Sequence, residues 1–215
     1  MINYVLFDFD GTVFNTLEGI TRCVEYAAEK QGLHVPPEDL KSFAGPPLTE
    51  KFMEYFGISE ERAWQALLDF RVRYADKGIH ESELFEGITE AVDRLIAAGK
   101  TVAIATSKPE RATRTLLTEA GIIDRFGVII GGPSDGRDFT KLKSVTLAME
   151  AVGAVPEETI LVGDRKYDVE GAHQAGIRCL GVRYGFAEKG ELEAAGADLF
   201  AATPEEIADV ILGSA

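Results

Sequence analysis

Residues 4–12 read YVLFDFDGT. Four apolar residues in a row suit a strand buried on both faces, and the glycine that follows suits a sharp exit turn. The tip of a buried strand is a costly place for Asp8 and Asp10 together unless something positive sits beside them. Working outward from this stretch, apolar runs of the same kind recur at 101–105 (TVAIA), 127–130 (GVII), 159–163 (TILVG) and 179–182 (CLGV). Between most of them lie amphipathic stretches of helix length, at 91–99, 109–121, 141–153 and 168–176. Thr140 stands where the third needs an N-cap, and Gly99, Gly121 and Gly176 close the others. Continuous apolar strands alternating with helices predict an α/β fold, a doubly wound Rossmann-like parallel sheet covered on both faces.

The rhythm breaks between residues 15 and 84. Helical patterns run over 17–32, 48–57 and 60–78 with no convincing strand among them. This predicts a small α-helical cap domain, 15–84, inserted after the first strand into a core of 1–14 plus 85–215. Trp64, Phe52, Tyr55 and Phe56 are expected to pack the cap.

Composition narrows the class. With 46% hydrophobic residues in 215, the chain can bury a sizeable core. A formal net charge of −14 repels nucleic acid and anionic membranes, so neither is an expected partner. No apolar run approaches membrane-spanning length and no basic leader opens the chain, which points to a cytoplasmic protein. Cys23 and Cys179 form no CxxC pair and read as reduced core thiols. His34, His80 and His173 lack metal-ligand spacing.

In an open parallel sheet, ligands bind beyond the carboxyl ends of the strands. Those ends carry Asp8, Asp10, Gly11 and Thr12, then Thr106, Ser107 and Lys108, and later Asp164 with Asp168. Clustered carboxylates without Cys or His suit a hard cation, Mg²⁺ in particular, which would offset the repulsion among Asp8, Asp10 and Asp164. The hydroxyls of Thr106 and Ser107, beside a helix start, suit an anion such as phosphate, and Gly11 lets main-chain groups face it. Lys108 and Arg165 read as solvated surface charges. GGPSDG (131–136) lacks the GK[ST] ending of a nucleotide loop.

DFDGT, Thr106 in VAIATSKP, a later lysine, and GDRKYD (163–168) together resemble the four motifs of the haloacid dehalogenase superfamily, in order across most of the chain. AGPPL (44–48), SDGRDFTK (134–141) and GVRYGF (181–186) are similar to its phosphoglycolate phosphatase-like members, including a 5′-nucleotidase subgroup. The resemblance implies a Mg²⁺-dependent phosphatase acting on a small phosphorylated metabolite. Asp8 would be the nucleophile that forms an aspartyl-phosphate, and Asp10 the acid and base. The side chains of Asp8 and Asp164 and the carbonyl of Asp10 would hold the metal. Thr106 and a lysine would bind the phosphoryl group, and Asp168 would orient that lysine or the waters on the metal. Gly11, Thr12 and Ser107, with Gly45, Pro46 and Lys51 from the cap, are the expected substrate contacts. A monomer or weak homodimer is expected.

Two lysines compete for the phosphate role. Lys141 and Lys143 point about 200° apart on a helix. Measured from an apolar stripe of Leu142, Val145, Met149 and Val152, Lys141 lies about 60° away and Lys143 about 140°. Lys141 is therefore the choice. Two alternatives share the scaffold, a phosphomutase and a phospho-accepting receiver module, although a receiver needs neither a leaving-group acid nor a cap.

Overall fold

The structure, a computed structural model, describes residues 1–133 and 139–213. The chain opens with β1 (Tyr4–Phe7) and a two-residue strand, β2 (Phe14–Asn15). Helices α1 (Leu17–Lys30), α2 (Leu48–Phe56) and α3 (Glu60–Asp76) follow, and a second two-residue strand, β3 (Glu83–Leu84), ends this stretch. Helices and strands then alternate through α4 (Ile88–Ala97), β4 (Thr101–Pro109), α5 (Glu110–Glu119), β5 (Val128–Gly132) and α6 (Lys141–Val152). The series continues with β6 (Thr159–Gly163), α7 (Lys166–Gln174), β7 (Arg178–Val182), α8 (Glu191–Ala195), β8 (Leu199–Ala201) and α9 (Pro204–Gly213).

Among the described residues, six of these strands form one sheet in the order β5-β4-β1-β6-β7-β8, and every pair in it is parallel. Tyr4–Phe7 lies between Thr101–Ile104 and Thr159–Val162, so β1 has a backbone partner on both sides. The period of two sends Leu6, Ala103, Ala105, Leu161 and Cys179 to one face, where they pack on Val145, Ala148, Met149 and Val169 of α6 and α7. Val5 and Phe7 go to the other face, where Phe7 meets Phe126 edge-on at 6.4 Å. With both faces covered, continuous apolar runs are what these strands require.

The chain divides into two compact units, Met1–Phe14 with Leu84–Ala215, and Asn15–Glu83. The regular elements of the second are helices, apart from Asn15 of β2 and Glu83 of β3. Ile20, Cys23, Val24 and Ala27 mark the buried face of α1 at helical spacing, and Ala63, Ala66, Leu67 and Phe70 mark that of α3. Phe43, Phe52, Tyr55 and Phe56 form one aromatic cluster. Arg73 grips Glu81 through two hydrogen bonds of 2.7 and 3.1 Å.

The structure departs from the sequence reading in several places. β4 continues to Pro109, four residues past the apolar run that announced it. α7 starts at Lys166, before the stretch assigned to it. The last strand and its neighbours α8 and α9 were not anticipated, because LFA is too short a run to signal a strand. Cys23 and Cys179 agree with the sequence reading: both are buried and they form no disulfide with each other.

Candidate active site

Three adjacent strands, β4, β1 and β6, deliver the chemistry-bearing side chains at their carboxyl ends. Asp8 directly follows β1, and its amide still donates to the Val162 carbonyl at 2.8 Å, so the ladder itself aims the residue. The chain then turns at Gly11, with φ +81°, where a Cβ would lie 2.1 Å from Asp164 Oδ2. Only glycine fits both the backbone angle and that gap.

Lys141 is the first residue of α6, whose N-cap Thr140 accepts from the Lys143 amide at 3.2 Å. Its Nζ donates to Asp8 Oδ1 at 2.5 Å and lies 2.8 Å from Asp168 Oδ1. Lys143 is exposed. The buried face of α6 is Ser144, Val145, Ala148 and Met149, which keeps Val145 and Met149 of the stripe read from sequence and replaces Leu142 and Val152. Lys141 precedes Ser144 and Val145 by three and four residues, so it stands on that face rather than at its edge. Asp168, in the first turn of α7, accepts from the Arg165 amide through Oδ2 at 2.9 Å. It therefore both caps its helix and faces Lys141.

Asp164 is wholly buried. Its Oδ2 accepts from the Phe186 amide at 2.6 Å, whereas Oδ1 is buried with no hydrogen-bond partner. Thr106 is buried, and its hydroxyl accepts from the Lys108 amide at 3.3 Å. Ser107 is exposed.

Three expectations need correction. Lys108 is not a solvated charge. It is buried, and its Nζ donates to Asp10 Oδ1 at 2.8 Å. The reason is the extra length of β4, which carries Lys108 within the strand to the site. Arg165 is likewise mostly covered, paired with Glu191 at 2.8 Å. Thr12 is wholly buried, its carbonyl accepting from the Tyr184 hydroxyl at 2.7 Å, so its side chain offers a substrate no surface. Of the SDGRDFTK and GGPSDG stretches, residues 134–138 lie outside the described residues. Gly45, Pro46 and Lys51 belong to the helical unit, where Lys51 Nζ lies 5.8 Å from the Phe43 ring centre and 3.7 Å from Glu54. Sequence reasoning missed Gly185 and Phe186; the GVRYGF stretch contained them, but no side chain there signals a backbone donor.

The electrostatics are those of a crowded anionic pocket. Burial pushes the Asp164 carboxyl well above its ordinary range, and the charges of Asp168 and Asp8 add to this. Asp168 is pushed up to about 6 by burial and by Asp8, against the pull of Lys141. Burial works against the charge on Lys141, but Asp168 and Asp8 outweigh it and raise the ammonium above an ordinary lysine. Oxygens of Asp8, Asp164 and Asp168 all lie within 4.8 Å of one another. An all-oxygen donor set with one orphaned buried carboxylate oxygen fits a hard metal ion. The third carboxylate of the set is Asp168; the Asp10 side chain is paired with Lys108.

Residues 5–182 match the model of the family described as haloacid dehalogenase-like hydrolase. The chain belongs to that family. This haloacid dehalogenase-like hydrolase is 37% identical over 191 residues to a 5′-nucleotidase of Pseudomonas aeruginosa, covering 88% of this chain and 86% of that one. It is 35% identical over 183 residues to the tyrosine-protein kinase PtkA of Mycobacterium tuberculosis, covering 85% of this chain and 62% of PtkA. Further relatives bear the name phosphoglycolate phosphatase. The crystal structure of a predicted phosphatase from Clostridium acetobutylicum superposes with a TM-score of 0.94 at 36% identity, covering 99% of each chain.

Proposed function

We propose that this hydrolase is a Mg²⁺-dependent phosphatase that cleaves a small phosphomonoester, phosphoglycolate-like or a nucleoside 5′-monophosphate, through an aspartyl-phosphate on Asp8. The observation that carries the reading is the Asp8 carboxylate itself. It sits at the tip of the central strand, with Lys141 at 2.5 Å and the Asp164 and Asp168 oxygens within 4.8 Å. Asp8, Asp164 and the Asp10 carbonyl would hold the Mg²⁺, which supplies charge neutralisation for the phosphoryl oxygens.

Asp8 attacks phosphorus, and the substrate oxygen leaves with a proton from Asp10. Asp10 then takes a proton from the water that attacks the aspartyl-phosphate, and orthophosphate departs with Asp8 restored. The Thr106 hydroxyl and the Lys141 ammonium hold the phosphoryl oxygens, with Gly11 and Ser107 alongside. Asp168 keeps Lys141 charged and aimed, and Lys108 holds Asp10 at the edge of the pocket. Phosphoryl transfer needs chiefly this kind of positioning and charge balance. Gly45, Pro46 and Lys51 would choose the leaving group from the helical unit, acting as a cap.

The test is phosphate release from a panel of phosphorylated metabolites, with Mg²⁺ and with chelator. Activity should need the metal and vanish in Asp8→Asn, which should also leave no trappable aspartyl-phosphate. Full activity in chelator, or a competent Asp8→Asn enzyme, refutes the proposal. The similarity to PtkA favours a second reading, transfer to a tyrosine. Labelling of a tyrosyl peptide from ATP without phosphate release would establish that instead.

A further inference from the structure

The segment Tyr184-Gly185-Phe186, just after β7, is fastened to the site at three points. The Tyr184 hydroxyl donates to the Thr12 carbonyl at 2.7 Å, and its ring meets Phe85 edge-on at 4.8 Å. The Phe186 amide donates to Asp164 Oδ2 at 2.6 Å. Between them, a Cβ on Gly185 would lie 2.3 Å from Asp164 Cβ and 2.5 Å from the Gly11 carbonyl oxygen. Backbone and carboxylate are thus pressed together as closely as a glycine allows. The consequence falls on one carboxylate: Oδ2 is committed to the amide, and Gly11 closes over it from the other side, while Oδ1 stays buried and unpartnered.

We infer that Tyr184-Gly185-Phe186 is a clip that restricts Asp164 to a single donor oxygen, and so biases the metal site toward a small octahedral cation over a larger one. Mg²⁺ demands near-ideal geometry at short distances, whereas Ca²⁺ readily takes both oxygens of a carboxylate and tolerates variable ones. A carboxylate with one oxygen locked serves the first and penalises the second. Gly185 and the Phe186 N–H are positioning elements, since they act on the metal site through Asp164. The inference rests on the metal role proposed above for Asp164.

Calorimetric titration of Mg²⁺ and of Ca²⁺ into metal-free protein tests it without recourse to activity. Gly185→Ala should weaken Mg²⁺ binding by about 10- to 100-fold, the usual effect of removing support behind a ligand. Ca²⁺ should weaken by less than about threefold, because it accepts a displaced carboxylate. Tyr184→Phe keeps the ring and loosens only the anchor, and should shift the Mg²⁺-to-Ca²⁺ ratio the same way by roughly threefold, the worth of one hydrogen bond. If Gly185→Ala fails to fold, the Tyr184→Phe ratio decides. Equal losses for the two cations, or an unchanged ratio, overturn the clip while leaving the phosphatase reading intact. Wild-type protein that binds neither cation overturns the metal reading and the clip with it.

Discussion

Replacing Lys141 by alanine puts the largest demand on the site. The ammonium is nearly enclosed, and holds Asp8 at 2.5 Å and Asp168 at 2.8 Å. At an effective dielectric constant of about 20, each attraction is worth roughly 6 kcal/mol before desolvation is charged against it. Desolvation cancels much of that. What Lys141→Ala leaves behind is three buried carboxylates with no cation among them, and removing one partner of a buried pair costs about 3–5 kcal/mol. The metal-free variant should therefore melt roughly 10 °C below wild type, given about 2–4 °C per kcal/mol at this chain length. Turnover should fall about 100- to 1,000-fold, as it does when one preorganised charge is withdrawn from a transition state. Melting curves in chelator and steady-state phosphate release measure the two effects separately. Lys143→Ala is the control; that side chain is exposed, and its loss should stay within about 0.5 kcal/mol. Turnover within tenfold of wild type in Lys141→Ala, or an equal loss in Lys143→Ala, would refute the reasoning.

Asp10→Asn should slow turnover severely yet leave Mg²⁺ affinity near wild type by calorimetry, because the Asp10 side chain is engaged with Lys108; loss of metal binding equal to that of Asp8→Asn would contradict the division of labour. Lys51→Ala should alter the ranking of substrates more than the rate on a small generic phosphoester, and uniform losses across a substrate panel would remove Lys51 from selectivity. The hydrogen bonds from Arg73, helped by Arg22 and despite partial burial, lower Glu81 to about 2. A depressed carboxylate contributes its stability above its unfolded value, near 4.5, and loses it as pH falls toward 2. Glu81→Gln should thus cost about 1 kcal/mol in urea denaturation at pH 7, after allowance for solvent screening, and nothing near pH 2; a pH-independent difference would argue for a packing effect alone.

The core was legible because burial on both faces leaves a plain trace. YVLF and TILVG are the strands residue for residue, and the caps around α6 follow from Thr140 and the helical phase. The strand-end carboxylates could be located by the same logic, since parallel sheets gather ligands at one edge. What escaped was whatever side-chain character does not encode. β4 continues through the polar residues TSK, so Lys108 looked like a surface charge although the sheet buries it. The last strand is three residues held by its neighbour β7. The Phe186 amide is a backbone group, and every residue but proline has one. Its importance arises from where the chain returns, a long-range fact without a local signature.

The pairing of β2 with β3 has a consequence for how such a protein can be rearranged. The chain leaves the first unit at Asn15 and comes back at Glu83 on neighbouring strands, and the Gly19 amide is further tied to the Glu81 carbonyl at 3.0 Å. Seen from the sheet, everything between is a hairpin loop. Closing a loop whose ends are already joined grows dearer only slowly, by about 0.6 kcal/mol for each doubling of its length. The helical segment can therefore be shortened, lengthened or exchanged for another without disturbing the strand register that aims Asp8. On the reading proposed above, in which the helical unit selects the leaving group, substrate choice and catalytic apparatus would be separately heritable parts of one polypeptide.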